Sequence, residues 1–397
     1  MQILYLSALA SQDALTDAHE RNPKFRGYAV QKFSRLVAEG LARNGQQVSA
    51  LSTFYMPEIG HYYCRHHEIV NGVHYRYIAS PNNHPLRHVW LVVYCFFYVL
   101  LWGLSNKKNK ALIADVLNIS ACIGAVTAAR LIRLRRVGIM TDMPGLMVNR
   151  SNSHENRITG RASFIARMNK SFLAHFTHYV FLTEKMNDAV NVNSRPYIVM
   201  EGLVDTDMQI TEAREETDKR IVLYAGGLHE RYGLKMLVEG FLQADVPDTE
   251  LWIYGSGPFA DSLPEYYRRD SRIVYKGIRP NNEVVEAELR ATLLVNPRPT
   301  HEEFTQYSFP SKNMEYMVSG TPLLTTQLPG MPEEYYPYVY LFDKGETTEG
   351  YAMALHRVLT LPHDDLYVKG LNARKWVLAK KNHVSQTARI IKLISQK

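Results

Sequence analysis

The chain has 397 residues, with 46 Lys+Arg against 39 Asp+Glu and a net charge of +7. Apolar residues at 46% and charged residues at 21% exclude wholesale disorder, and 23 Gly with 18 Pro exclude a collagen or a Pro-rich linker protein. The length predicts two domains, or three, at about 150 residues each. Cys64, Cys95 and Cys122 are odd in number and far apart, which argues against a disulfide framework and for a reducing compartment. Met1 to Ala10 is one short apolar run without the basic start and cleavage site of a secretory signal.

In chain order, Gln2 to Ser7 reads as a buried strand, and Tyr28 to Asn44 as a helix whose apolar positions are Val30, Phe33, Val37 and Leu41. Asn44-Gly45 stops that helix, and Val48 to Leu51 is the next strand. Asn71-Gly72 between two β-rich runs predicts a hairpin over Glu68 to Ile78. Leu112 to Asn118, Val137 to Met140, His178 to Thr183 and Tyr197 to Met200 are further strands. Thr211 to Lys219 is polar and acidic, as a linker would be. The pattern then restarts with strands Ile221 to Ala225, Glu250 to Tyr254, Ile273 to Lys276, Leu293 to Asn296 and Pro322 to Thr325. Helices Gly233 to Gln243, Glu283 to Ala291 and Ser311 to Val318 alternate with them, and Thr387 to Ile394 is a final helix. Such alternation predicts an α/β protein with two doubly wound parallel sheets. Ligands of such sheets bind at the carboxyl ends of the strands, so two domains facing across a cleft would suit a two-substrate transferase.

The most informative stretch is NPRPTHEEFTQYSFPSKNMEYMVSGTP, Asn296 to Pro322. Ser308 or Ser311 is expected to cap the helix after it, with Pro310 at its opening. The helix start offers backbone N–H groups and a positive dipole end, which suits a diphosphate. Glu315, one turn in, is placed to accept hydrogen bonds from ribose hydroxyls. An ordinary capped helix after a surface loop is the alternative.

This stretch resembles the donor-binding segment of the family 4 glycosyltransferases, retaining enzymes of the GT-B fold. Glu315-Tyr316-Met317 with Gly320-Thr321-Pro322 is similar to the second half of their E-x7-E region. The form with Phe309-Pro310-Ser311-Lys312 before that Glu resembles members of bacterial polysaccharide assembly. The first Glu falls at Tyr307, with Glu302 and Glu303 in the same loop as substitutes. Further along the chain the similar segments are Phe25-Arg26-Gly27-Tyr28, Gly45 to Val48, Thr183 to Met186, Glu201 to Asp205, Gly226-Gly227-Leu228 with Tyr232-Gly233, and Gly255 to Pro258. The family's phosphate-binding Arg and Lys fall at Gly227 and Tyr232, so Arg231 is the expected replacement, with Lys312 and Arg298 as the other candidates. Fixed cations there would stabilise the charge that develops on a departing diphosphate. The resemblance implies that Gly277-Ile278 holds the nucleotide base. The donor set it implies is Gly226, Gly227, Arg231, Gly255, Gly277, Ile278, Arg298, Tyr307, Ser308, Phe309, Pro310, Ser311, Lys312 and Glu315. Asp142, after strand Val137 to Met140, is expected to bind the acceptor or take its hydroxyl proton, with capping of the next element as the alternative. Gly27 is the other acceptor-side candidate, and Asp142, Arg231 and Glu315 are the expected catalytic groups.

Asp205-Thr206-Asp207 reads as structural, and His61, Cys64, His66 and His67 are too crowded for a structural zinc site, so no metal is expected. Val89 to Leu104 carries no charge over sixteen residues, short of the ~20 that a span needs. Trp90 and Trp102 near its ends, Arg87 before it and Lys107, Lys108 and Lys110 after it resemble an interfacial segment, with a helix buried on the sheet or a true span as alternatives. Arg130, Arg133, Arg135 and Arg136, and a basic amphipathic run over Arg161 to Leu173, lie in the same half. Nucleic acid is not an expected partner, because these cations flank apolar stretches rather than stacking aromatics.

Together these features lead to the expectation of a GT-B protein with an acceptor domain over 1–200, a nucleotide-sugar domain over 201–375, and a terminal helix over 376–397 returning to the first domain. It would move a hexose from a UDP- or GDP-sugar to a lipid-linked glycan at the inner face of the cell membrane, with no cofactor. A nucleotide-sugar epimerase and a catalytically silent binding member are the alternatives.

Overall fold

In the computed structural model, residues 1–21, 29–56, 61–62, 67–79, 81, 84–105, 109–143, 172–206, 219–342 and 346–396 are described. The chain divides into two compact units, Met1–Leu203 with His383–Lys397, and Val204–Asn382. Each is built on one largely parallel sheet.

The first unit holds β1 (Gln2–Ser7), β2 (Gln47–Ser52), the short pair β3 (Tyr55–Met56) and β4 (His61–Tyr62), β5 (His67–Val70), β6 (Val73–Tyr77), β7 (Lys110–Asp115), β8 (Arg135–Met140), β9 (His178–Phe181) and β10 (Tyr197–Val199). Its eight-stranded sheet runs β10-β9-β8-β7-β1-β2-β6-β5, and only β5 is antiparallel to its neighbour. The central strands β1 and β7 are buried along nearly their whole length, as in a sheet covered on both faces, whereas β6 near the edge alternates buried and exposed residues. The β5–β6 turn has both Asn71 (φ 51°) and Gly72 (φ 77°) in the left-handed region, the geometry that matches strand twist in a two-residue hairpin. Helix His383–Ser395 packs on helix Ala29–Arg43 at Gly40, where a β-carbon would stand 2.2 Å from the His383 carbonyl oxygen. Asn44 Nδ2 donates to the Val384 carbonyl at 2.8 Å and reinforces the contact.

The second unit holds β11 (Arg220–Gly227), β12 (Thr249–Ser256), β13 (Ile273–Gly277), β14 (Leu293–Asn296), β15 (Leu323–Thr325) and β16 (Tyr340–Leu341), in the order β13-β12-β11-β14-β15-β16. All its pairings are parallel. The chain order reverses between β11 and β14, so this is the switch point, the place where such sheets take ligands. The unit ends at Asn382 rather than near 375, because helix His363–Lys380 belongs to it. Val377 is fully buried in that unit's core, and the Trp376 ring lies 4.8 Å from that of Tyr335.

Three local expectations change. Pro310, not a serine, is the residue before helix Ser311–Ser319, and no side chain caps that helix. Ser308 Oγ donates instead to the Phe304 carbonyl at 3.0 Å, and Ser311 already lies in the first turn. Lys110 is not a surface cation: it is buried in β7, donates to the Trp102 carbonyl, and lies 4.7 Å from the Trp102 ring centroid. It thereby satisfies the carboxyl end of helix His84–Leu104. The segment read as sixteen apolar residues is part of that 21-residue helix. Gly27, Cys64, His66, Lys107, Lys108, Asp207, 161–171 of the basic run and 211–218 of the linker lie outside the described residues.

Candidate functional site

The carboxyl ends of β11 and β14 bring together most of the charged candidates of the second unit. β11 ends in Gly226-Gly227, followed by a short turn, Glu230–Tyr232. Gly233 (φ 84°) then brings that turn against the loop after β14, where a β-carbon would stand 1.9 Å from the Pro297 carbonyl oxygen. The same carbonyl accepts from Tyr351 Oη at 2.8 Å, and the Arg298 carbonyl accepts from Thr326 Oγ1. Arg298 is thus fixed by its backbone. Its guanidinium lies 5.1 Å from the Tyr232 ring centroid and 5.4 Å from that of Phe304. The Arg231 guanidinium lies 5.3 Å from the same Tyr232 ring, so this tyrosine carries two arginines.

Helix Ser311–Ser319 is tied to both strands. The fully buried Tyr316 hydroxyl accepts from the Ala225 amide at 3.0 Å and donates to the Ala225 carbonyl at 3.2 Å. Asn313, also buried, accepts from Asn296 Nδ2 at 2.6 Å. These anchors set Lys312 over the end of β11. Its ammonium stands 1.9 Å from the place where a side chain at Gly226 would begin, and 5.2 Å from the Tyr224 ring centroid. Gly226 is therefore the seat of Lys312. Gly255 (φ 127°) ends β12 against the same residue, 1.8 Å from the Gly226 carbonyl oxygen for any β-carbon, so the strand ends meet backbone to backbone.

The electrostatics follow from burial. Lys312 is pushed down to about 8, first by desolvation, with nearby Arg298 acting the same way and Glu288 and Glu315 opposing. Glu288, on helix Asn281–Arg290, is pushed up to about 7 by desolvation and by the Glu315 charge, against the pull of Lys312. A cation held at this cost is poised to gain from an added anion.

Glu315 is exposed on the solvent side of its helix, and Arg231 is exposed on its turn. Gly277 (φ 70°) ends β13 with open space above it, and Ile278 beyond it is exposed. Tyr307 is half-buried at the end of the turn Glu303–Gln306. Phe309 turns its ring into the core, 5.0 Å from that of Tyr335, and Pro310 is buried beside it. In the first unit, Asp142 follows β8, is half-buried, and accepts from the Met143 amide at 2.8 Å. Among the described residues, no group of three or more His, Cys, Asp or Glu could hold a metal ion. Sequence reasoning missed Glu288, Asn296, Asn313 and Tyr316. The two asparagines carried a signal, since amides at a strand end and on an inward helix face need partners.

Residues 219–360 match the family model for glycosyl transferases group 1. Teichuronic acid biosynthesis is the process for which the Bacillus subtilis (strain 168) glycosyltransferase TuaH is named; it is 28% identical over 163 residues. That match spans 41% of this chain and 39% of TuaH, well under half of the relative's length. The sucrose-phosphate synthase of Thermosynechococcus elongatus superposes with a TM-score of 0.65 at 15% identity, covering 99% of this chain and 98% of that one. Anabaena HepE, solved in complex with UDP, superposes with a TM-score of 0.62 at 12% identity over 100% of both chains. The fold is that of GT-B glycosyltransferases, and the second unit carries the group 1 match.

Proposed function

We propose that the protein is a retaining, metal-independent hexosyltransferase of bacterial surface-polysaccharide assembly. It takes a UDP- or GDP-sugar in its second unit and serves a lipid-linked glycan acceptor with its first, at the inner face of the cell membrane. The observation that carries the donor half is the seating of the Lys312 ammonium over Gly226 at the switch point, beside Arg298. Two cations absent from Gly227 and Tyr232 are replaced there from the β14 side of the sheet.

Each group then has a part. Lys312, Arg298 and Arg231 neutralise the diphosphate as the bond to the sugar breaks. The uncapped start of helix Ser311–Ser319 adds its dipole. Glu315 accepts from the ribose hydroxyls, and the backbone at Gly277 and Ile278 meets the base. Asp142 orients the acceptor. The leaving phosphate oxygen takes the acceptor's hydroxyl proton on the same face of the sugar, so no protein nucleophile is required. HepE's capture with UDP and TuaH's naming for teichuronic acid biosynthesis support this reading.

A thermal-shift panel of nucleotide sugars, followed by donor-dependent release of nucleoside diphosphate, tests it. Stabilisation by one UDP- or GDP-sugar and turnover abolished by Glu315→Gln or Arg231→Ala is the expected result. Turnover that survives both substitutions, or no release from any donor, rejects the assignment. Epimerised sugar formed without acceptor would select the epimerase instead, and binding without turnover the silent member.

A further inference from the structure

Helix His84–Leu104 has two faces with opposite fates. Leu91, Cys95, Val99 and Gly103 point inward. At Gly124 of helix Ile119–Leu131 a β-carbon would come within 2.0 Å of the Val92 carbonyl oxygen, so the two helices touch backbone to backbone. His88 Nδ1 and Ser120 Oγ, 2.6 Å apart, add a polar contact. Pro85–Leu104 is long and apolar enough to cross a membrane by length and composition, but the backbone contact at Gly124 ties it to the sheet's own layer of helices. The opposite face shows Leu86, Val89, Val93, Phe97, Leu101 and Leu104, at 44% to 67% exposure, in one continuous stripe. Scattered apolar residues on a surface are ordinary, but six large ones in register are not. Trp90, 42% exposed beside the stripe, is held by donation to the Ala79 carbonyl at 2.8 Å.

Charge decides what covers the stripe. From residue 84 to 136 the sequence holds eight Lys or Arg and one acidic residue; Asp115 and one of the cations, Lys110, are buried, which leaves seven other basic residues and no other acidic one. The two helices run in the same direction, since Gly124 meets Val92 and Ile132 meets Gly103. Exposed Arg130, Leu131 and Arg133 therefore lie at the Leu101–Leu104 end of the stripe, and Arg87 lies at the other. Antiparallel pairing with a second copy would oppose basic end to basic end. An anionic bilayer surface meets no such conflict.

We infer that this face is a membrane-docking ridge: helix His84–Leu104 lies parallel to the membrane plane, its stripe in the acyl boundary and Arg130 and Arg133 at the headgroups of anionic lipids. The inference deepens the lipid-linked acceptor proposed above and rests on it only for why a membrane should be near. Arg76, with its guanidinium 5.4 Å from the Tyr98 ring centroid, marks the side of the helix that stays with the protein.

Vesicles of phosphatidylglycerol and phosphatidylcholine, against phosphatidylcholine alone, test it by flotation and by quenching of tryptophan with brominated acyl chains. Binding to the anionic vesicles is expected, with quenching that Trp90→Phe reduces. Phe97→Glu with Leu101→Glu should weaken binding at least a hundred-fold. Arg130→Gln with Arg133→Gln should weaken it about 25-fold, five-fold for each charge removed. The Arg pair keeps the test decisive if the Glu pair fails to fold. Equal binding by wild type and both pairs, no binding by wild type, or a solution dimer that the Glu pair dissolves would overturn the inference. Stabilisation by UDP or GDP, measured on the same samples, separates the two readings: its loss with vesicle binding intact defeats the donor site alone.

Discussion

The two sheets are wound alike but finish differently. In the first unit, β1, β2 and β7 end in buried polar side chains, each of them hydrogen-bonded. Ser7 Oγ lies 3.0 Å from Ser34 Oγ and donates to Asp115 at 3.2 Å, Asp115 accepts from the Leu117 amide at 3.0 Å, and Ser52 donates to the Leu9 carbonyl. In the second unit, β11 ends in Gly226-Gly227, β12 in Gly255-Ser256 and β13 in Gly277, so glycine backbone lines the edge and a lysine rests on it. The first pattern closes a strand edge with polar mortar. The second strips the edge of side chains and brings charge from elsewhere, which is what an incoming anion needs.

The contrast can be broken most sharply at Gly226. Replacement by Val should expel Lys312 and lower turnover about 10²–10³-fold, read as nucleoside diphosphate release with circular dichroism to confirm the fold. Lys312→Met, which leaves the glycine in place, should lower UDP or GDP affinity by about 10²-fold in calorimetry if the ammonium meets the diphosphate directly. The same lysine gives a pH signature. Glu288 gains its negative charge as pH rises through about 7 and Lys312 loses its positive charge above about 8, so affinity for the anion should be highest below pH 7 and fall as pH rises through both. Lys312→Arg should remove the fall above pH 8, because a guanidinium keeps its charge there, and leave the one near pH 7. At the edge of the first unit the corresponding change, Ser7→Ala, should cost about 1–3 kcal/mol in urea unfolding and leave nucleotide binding unchanged. The smallest effect is expected at Gly277→Ala, about 1 kcal/mol from the left-handed backbone alone, since among the described residues no atom lies within 4 Å of the new methyl.

Much of the fold was legible because strands and turns announce themselves locally. Gln2–Ser7 and Leu293–Asn296 have the limits their apolar runs predict, and Asn71-Gly72 forms the hairpin turn its dipeptide specifies. The candidate site was legible as a stretch of sequence but not as an arrangement. That Lys312 would fill the space over Gly226 depends on Tyr316 reaching across to Ala225, a contact between residues 91 positions apart. The serine cap failed for a related reason: Ser308 had a nearer carbonyl, that of Phe304, and took it. Lys110 misled because a basic residue next to an apolar run looks like a flank, whereas a helix end with open carbonyls can draw it inside. Phe309 and Pro310, read as donor contacts, also serve as packing, which neighbouring ring partners decide and spacing along the chain does not.

The pairing of Val204 with Asn382, with the Val204 amide donating to the Lys381 carbonyl at 2.9 Å, puts the entry and exit of the second unit side by side. In the language of gene architecture it is an insertion cassette: 179 residues spliced between Leu203 and His383 with their two seams stitched together. A unit closed at its own seams can change internally without disturbing either junction, so what the second unit binds is free to diverge while the first stays as it is.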